Sequence, residues 1–221
     1  MKDREDLLKA FLAGTAWADA ARHPLSGDAF FRRYERLKGG PRPAMLMDAP
    51  PPMENVRPYL AIARHLTGMG FSAPEIFAAD EDAGFLVIED FGDATYTREL
   101  ARGADEHALY ALAIDTLTAL HRRPDAANLA VPAYGEAKYL EEARLLTDWY
   151  LPAARGRETS ADEIAAYEAI WRKLLPLAEA VPRTLVLRDY HVDNLMALEG
   201  RTGIARCGLL DFQDALIGPV A

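Results

Sequence analysis

Three residues near the end of the sequence have the types and spacing for one particular chemistry. Asp189 and Asn194 stand five positions apart in Arg188-Asp189-Tyr190-His191-Val192-Asp193-Asn194, and Asp211 follows in Leu209-Leu210-Asp211-Phe212. A carboxylate can orient a hydroxyl and take its proton as the oxygen attacks phosphorus. An amide oxygen and a second carboxylate are hard donors that suit Mg²⁺, which asks for one or two carboxylates beside phosphate oxygens and water. Few other protein groups are needed, because transfer of a γ-phosphoryl rests on positioning and charge stabilisation. Taken singly, Asp189 and Asn194 would be turn residues and Asp211 a strand-end cap. Their joint order, each beside an apolar β segment, points to phosphoryl transfer.

Those segments read as strands: Thr184 to Leu187, Leu195 to Leu198 and Cys207 to Leu210, with a polar loop over 188–194 and a turn at Gly200 and Gly203. Upstream, residues 5–13 have helical apolar spacing, and residues 24–37 read as strand, tight turn and strand around Ser26-Gly27-Asp28. Ala44 to Asp48 form a short apolar strand that Pro50, Pro51 and Pro52 stop. Glu54 to Leu66 read as a helix with Pro58 in its first turn and Gly68 and Gly70 at its end. A hairpin follows, Ile76 to Ala79 and Phe85 to Ile88, leading to the acidic Glu89-Asp90-Phe91-Gly92. Helices are predicted over 105–122, 136–150 and 160–180, with Trp149, Tyr150 and Trp171 as packing residues. The expected architecture is α+β with two lobes: a small, mainly antiparallel β lobe over residues 1–90 and a mainly helical lobe over 91–221.

Half of the 221 residues are hydrophobic and the net charge is −9, enough apolar mass for a sizeable core and too little clustered cation for nucleic acid. The single cysteine, Cys207, sits in an apolar stretch and reads as a buried, inert thiol in a reducing compartment. No apolar run approaches the ~20 residues that cross a bilayer, and Met1 to Asp6 lack a signal-peptide core. The expectation is a cytoplasmic protein without membrane or nucleic-acid partners.

Asp189, Asn194 and Asp211 also have the order and spacing of the protein-kinase catalytic set, with Asp211-Phe212 at the metal-binding pair. Arg188 to Asn194 together with Leu210-Asp211-Phe212-Gln213-Asp214-Ala215 resembles the catalytic loop and metal motif of the aminoglycoside phosphotransferase family. Gly27 to Tyr34, Leu46 to Pro51 and Leu86 to Gly92 resemble its bacterial anomeric sugar kinase branch, which phosphorylates N-acetylmuramate and N-acetylglucosamine at C1. The resemblance implies a protein-kinase-like fold, ATP or GTP with Mg²⁺, and a small hydroxyl acceptor, an amino sugar first. It implies Asp189 as catalytic base, Asn194 and Asp211 as metal ligands, and Ser26, Gly27 and Asp28 as the loop over the phosphates. Glu89, Asp90 and Phe91 become the connector whose backbone pairs with the base. Aminoglycosides, choline-like or homoserine-like alcohols, and a nucleotide-binding pseudokinase are the alternatives.

Two features depart from the family pattern. Kinases place a lysine on the third strand, paired with a helix glutamate, and Ala44 to Asp48 contain none. Arg32 or Arg33, just after the glycine turn, is expected to reach the phosphates, with Glu54 as the early candidate for an acidic partner. The sequence also ends ten residues after Asp211, which reads as a helical lobe cut short. His191 is expected to orient the loop, and Asp214 to cap a turn; His23, His65, His107 and His121 lack metal-ligand spacing.

Overall fold

A computed structural model of the chain describes residues 3–25 and 31–220. The expected phosphate loop, Ser26, Gly27 and Asp28, lies outside the described residues.

The first elements are α1 (Arg4–Ala13), β1 (Ala21–Pro24), β2 (Arg33–Lys38), β3 (Ala44–Asp48), α2 (Arg57–Gly68), β4 (Ile76–Asp80) and β5 (Phe85–Glu89). The strands form one sheet in the order β1-β2-β3-β5-β4, antiparallel at every pairing. β3 takes the centre because all five of its residues are buried. Gly84 closes the β4–β5 turn at φ 73°; a Cβ there would lie 2.0 Å from the Ala49 carbonyl oxygen, so only glycine fits.

Side chains alternate across the sheet with period two, and the two faces have different company. On one face Leu37, Ala44, Leu46, Phe85 and Val87 pack with Leu8 and Leu12 of α1 and with Trp17. Asp48 is buried on that face, holding Arg4 Nη2 at 2.6 Å and Arg33 Nη2 at 2.8 Å. The other face presents Tyr34, Arg36, Met45 and Ile88, and Tyr59 of α2 joins them around a cavity. Pro58 stands in the first turn of α2, where its missing N–H costs no bond.

Beyond the sheet come α3 (Tyr96–Ala101), α4 (Glu106–Arg122), α5 (Glu136–Leu145), α6 (Leu151–Arg155) and α7 (Ala161–Glu179). The remaining strands are β6 (Arg183–Val186), β7 (Leu195–Ala197), β8 (Cys207–Leu209) and β9 (Leu216–Pro219). The architecture is α+β, as expected, but the compact units do not follow a single cut at residue 90. One unit comprises residues 1–119 and 187–214, and the other 120–186 and 215–221. The segment 187–214 joins the sheet's unit because β7 and β8 pair with each other, Ser72 bridges Gly208, and Thr95 bridges Met196. Cys207 is buried there, as anticipated.

In the second unit β6 pairs antiparallel with β9. Ser160 and Glu163 form a capping box at the start of α7. The expected helix 136–150 breaks: α5 stops at Leu145 and a π-helical turn covers Leu146–Tyr150. Trp149 and Tyr150, expected to pack, are 73% and 64% exposed, because that turn rotates them to the surface of the described chain. Among the described residues no helix is long and apolar enough to cross a membrane.

Candidate active site

The loop 188–194 and the end of β8 meet within the first unit. The Asn194 amide nitrogen lies 3.0 Å from the Asp189 carbonyl oxygen, 3.2 Å from His191 Nε2 and 3.4 Å from Asp211 Oδ2. The two stretches of chain that carry the three residues therefore converge on one amide. Gln213 Nε2 donates to the other Asp211 oxygen at 2.6 Å. The Asp193 carboxylate is 3.7 Å from His191 Nδ1, which favours a proton on Nδ1 and leaves Nε2 to accept from Asn194. His191 thus orients the loop through a hydrogen bond, the place anticipated for it.

The loop is anchored from below. Tyr190 donates to the Ala113 carbonyl of α4 at 2.7 Å. Asp193 accepts a short bond from the Thr97 hydroxyl of α3. Burial, with the neighbouring Cys207, pushes the Tyr190 phenol far up, so it stays neutral and serves as a fixed donor. Arg188 has φ 65° and Asp211 φ 56°, left-handed backbone that only glycine adopts freely. Strain of this kind concentrates at functional positions.

Beside this cluster lies a cavity of about 350 Å³. Met45 and Ile88 from the sheet and Met196 and Leu210 from the loop strands give it apolar walls, while Asn194 and Asp211 stand at its polar end. The connector Glu89 to Asp93 forms another side. Its carboxylates are all engaged: Glu89 with Arg201, and Asp90 and Asp93 with Arg36. Hydrogen bonds from Arg36 hold Asp93 below the usual carboxylate range. The Glu89 and Asp90 amides donate to the Glu75 and Pro43 carbonyls, and Gly92 N–H donates to Asp90. Asp90 is nearly buried in its ion pair, while Asp93 stays exposed.

The structure separates the two arginines expected at the phosphates. Arg33 points to the α1 face and binds Asp48, with its side chain 67% exposed. Arg32 binds Glu54 at 2.8 Å, and both side chains are largely buried, at 16% and 14% exposure. Burial works against the charge of Arg32, yet the Glu54 carboxylate and the Tyr34 hydroxyl outweigh it and raise its pKa. Burial also raises the Tyr34 phenol; Arg32 draws it down, and Asp211 and Glu54 push it further up. Sequence reasoning missed Tyr34 and Tyr59, both at the cavity. Tyr59 stacks on Phe212 with ring centroids 5.0 Å apart, tying α2 to the residue after Asp211. The signal available was their helix and strand spacing, which marks core and pocket residues alike.

A Mg²⁺ ion would find a fitting donor set in the Asp211 carboxylate and the Asn194 amide, hard ligands brought within 3.4 Å. The amide nitrogen now faces the Asp211 carboxylate, so the amide oxygen would turn to an ion that displaced this hydrogen bond.

The chain is 43% identical over 198 residues to N-acetylmuramate/N-acetylglucosamine kinase of Pseudomonas aeruginosa, covering 89% of this chain and 56% of that protein. It is 34% identical over 249 residues to the protein of that name from Caulobacter vibrioides, covering 97% of this chain and 68% of that protein. The chain thus spans little more than half the length of the first relative and about two thirds of the second. Among solved structures, aminoglycoside phosphotransferase APH(2'')-Ib with ADP bound superposes with a TM-score of 0.64 at 15% identity, over 98% of this chain and 72% of that one. Choline kinase LicA from Streptococcus pneumoniae gives 0.62 at 13% identity, over 98% and 70%. These share the kinase-like fold. Residues 22–221 match the model described as "Phosphotransferase enzyme family", and on that match and those identities the chain belongs to the aminoglycoside phosphotransferase type of this family.

Proposed function

We propose that this chain carries the nucleotide-binding and phosphoryl-transfer machinery of a small-molecule kinase, with ATP as donor and the anomeric hydroxyl of N-acetylmuramate or N-acetylglucosamine as acceptor. The observation that carries the reading is the convergence of Asn194 on Asp189 and Asp211 beside an apolar cavity edged by a connector. The relatives' names supply the acceptor.

In this reading the purine lies between Met45, Ile88 and Met196, with its polar edge against the backbone of Glu89, Asp90 and Phe91. Asp189 takes the acceptor's proton as its oxygen bonds to the γ-phosphorus. The bond from that phosphorus to the β-phosphate oxygen breaks, and ADP leaves. An anomeric hydroxyl is comparatively acidic for a sugar, so a carboxylate base suits it. Asp211 and Asn194 would hold Mg²⁺, which supplies charge neutralisation across the β- and γ-phosphates when bound. His191 and Gln213 fix those two side chains. Ser26, Gly27 and Asp28 are assigned to the phosphates on the sequence resemblance, and the protein works in the cytoplasm.

ADP release coupled to an optical readout, over a panel of N-acetylated amino sugars, aminoglycosides and amino alcohols, tests this. We expect turnover with the amino sugars and a loss of about 10²- to 10⁴-fold in Asp189→Asn. Equal rates in both proteins would sink the assignment of the base. A second reading, a nucleotide-binding pseudokinase, is favoured by the methionines of β3, Met45 and Met47, where kinases carry a lysine. It is supported by tight ATP binding with no turnover on any acceptor.

A further inference from the structure

The γ-phosphoryl donor carries several negative charges, and β3 offers no cation to meet them. Four arginines lie near enough in sequence to substitute, and their partners distinguish them. Arg42 is paired with Glu75 and stacks over Phe77. Arg33 stands on the α1 face against Asp48. Arg36 faces the cavity, but Asp90 and Asp93 both bind its guanidinium, through Nε, Nη1 and Nη2. Arg32 stands just before β2, two residues from the cavity-lining Tyr34, and gives Glu54 a bond through Nε, one of its five donors.

We infer that Arg32, held by Glu54, is the cation that receives the nucleotide's phosphates, doing from the β2 side of the cavity what a lysine on β3 does in other kinases. This rests on the nucleotide reading above and deepens it. Three features support it. Arg32 and Glu54 are both largely buried, so the pair is tethered in one geometry where two freely moving surface chains would not be. Tyr34, two residues from Arg32, links it to the metal end, since it lines the same cavity as Asn194 and Asp211. Arginine also fits the task, since its planar fork meets phosphate oxygens two at a time and stays charged when buried. The position that β3 leaves to Met45 and Met47 is thereby compensated across the β2–β3 ladder, where Tyr34 pairs with Met47. Glu54 acts as a positioning residue.

Calorimetric titration of the full chain with Mg-ATP, Mg-ADP and AMP tests this, with Arg32→Met, Arg32→Lys and Arg33→Met compared. Arg32→Met is expected to weaken ATP and ADP about tenfold to a hundredfold, the loss of one charged contact, and AMP less than about twofold. Arg32→Lys should recover most of the ATP affinity, and Arg33→Met should bind all three as the unmodified chain does. Retained AMP binding certifies that each variant is folded; should Arg32→Met fail that check, Arg32→Gln takes its place with the same expectation. In a variant that passes this check, ATP affinity unchanged, or weakened no more than AMP affinity, overturns the role of Arg32 while the nucleotide site stands. An unmodified chain that binds none of the three ligands overturns the nucleotide reading itself, and this inference with it.

Discussion

Arginines 32 and 33 are neighbours of one type, yet the sheet sends them to opposite ends of the molecule's business. On the α1 face Arg33, its side chain mostly exposed, meets the buried carboxylate of Asp48. Arg32 meets Glu54 instead, two residues from Tyr34, which shares the cavity with Asp211. One face uses charge to close a core, and the other uses it to border an opening. Arg32 lies just outside β2 and Arg33 begins it, so the two take different partners, and residue type alone is blind to that.

If the faces divide stability from binding, substitutions on each should move one quantity and spare the other. Leu46→Ala, at a site with no exposed surface, is expected to cost about 3 kcal/mol in urea unfolding. The folded fraction should bind ATP as before; weaker binding there would break the division. Asp48→Ala should cost about 2 kcal/mol, again with ATP affinity kept. That is less than for a fully buried pair, because Arg33, 67% exposed, falls back on water when its partner goes. On the cavity face, Tyr59→Leu loses the stack on Phe212, worth about 1 kcal/mol. Its Mg-ATP affinity should fall more than its AMP affinity, since Phe212 follows a metal-binding candidate; equal losses would detach α2 from the metal end.

The smallest effect sharpens the cavity edge. Arg36 holds the Asp93 carboxylate below its ordinary value of 3.8, so the pair's contribution is complete above that value and fades as pH falls through the lowered one. Asp93 is exposed, which limits the effect to a few tenths of a kcal/mol. Carbon-detected NMR titration should show Asp93 ionised below pH 3.8 and returning to that value in Arg36→Met. An identical midpoint in both proteins would remove Arg36 as the cause.

Much of this was legible in advance. β3 was read to the residue, because proline stops an apolar run abruptly, and α2 and the β4–β5 hairpin followed from apolar spacing and turn residues. The meeting of Asn194 with Asp211 was legible from the strands that flank them. Other elements were hidden for physical reasons. α3 has six residues, too few for a helical period, and its cap, Thr95, lacks the glutamate three residues on that marks a capping box. β9 contains Gly218 and Pro219 and pairs with β6, thirty residues away, so nothing local announces it. Whether Arg32 or Arg33 faced the cavity depended on where β2 begins, and one residue's shift reverses every side chain. The unit boundaries escaped because a chain can return to an earlier unit, as 187–214 does.

The left-handed backbone at Asp211 bears on any attempt to make this protein sturdier. Among the described residues eight glycines with positive φ take such conformations without strain, and the two residues that are not glycine, Arg188 and Asp211, stand at the start of the loop 188–194 and just after β8. A stabilisation campaign that ranked sites by backbone comfort would choose glycine at 211 and relieve roughly 1 kcal/mol. It would gain heat tolerance by deleting the carboxylate proposed to hold the metal.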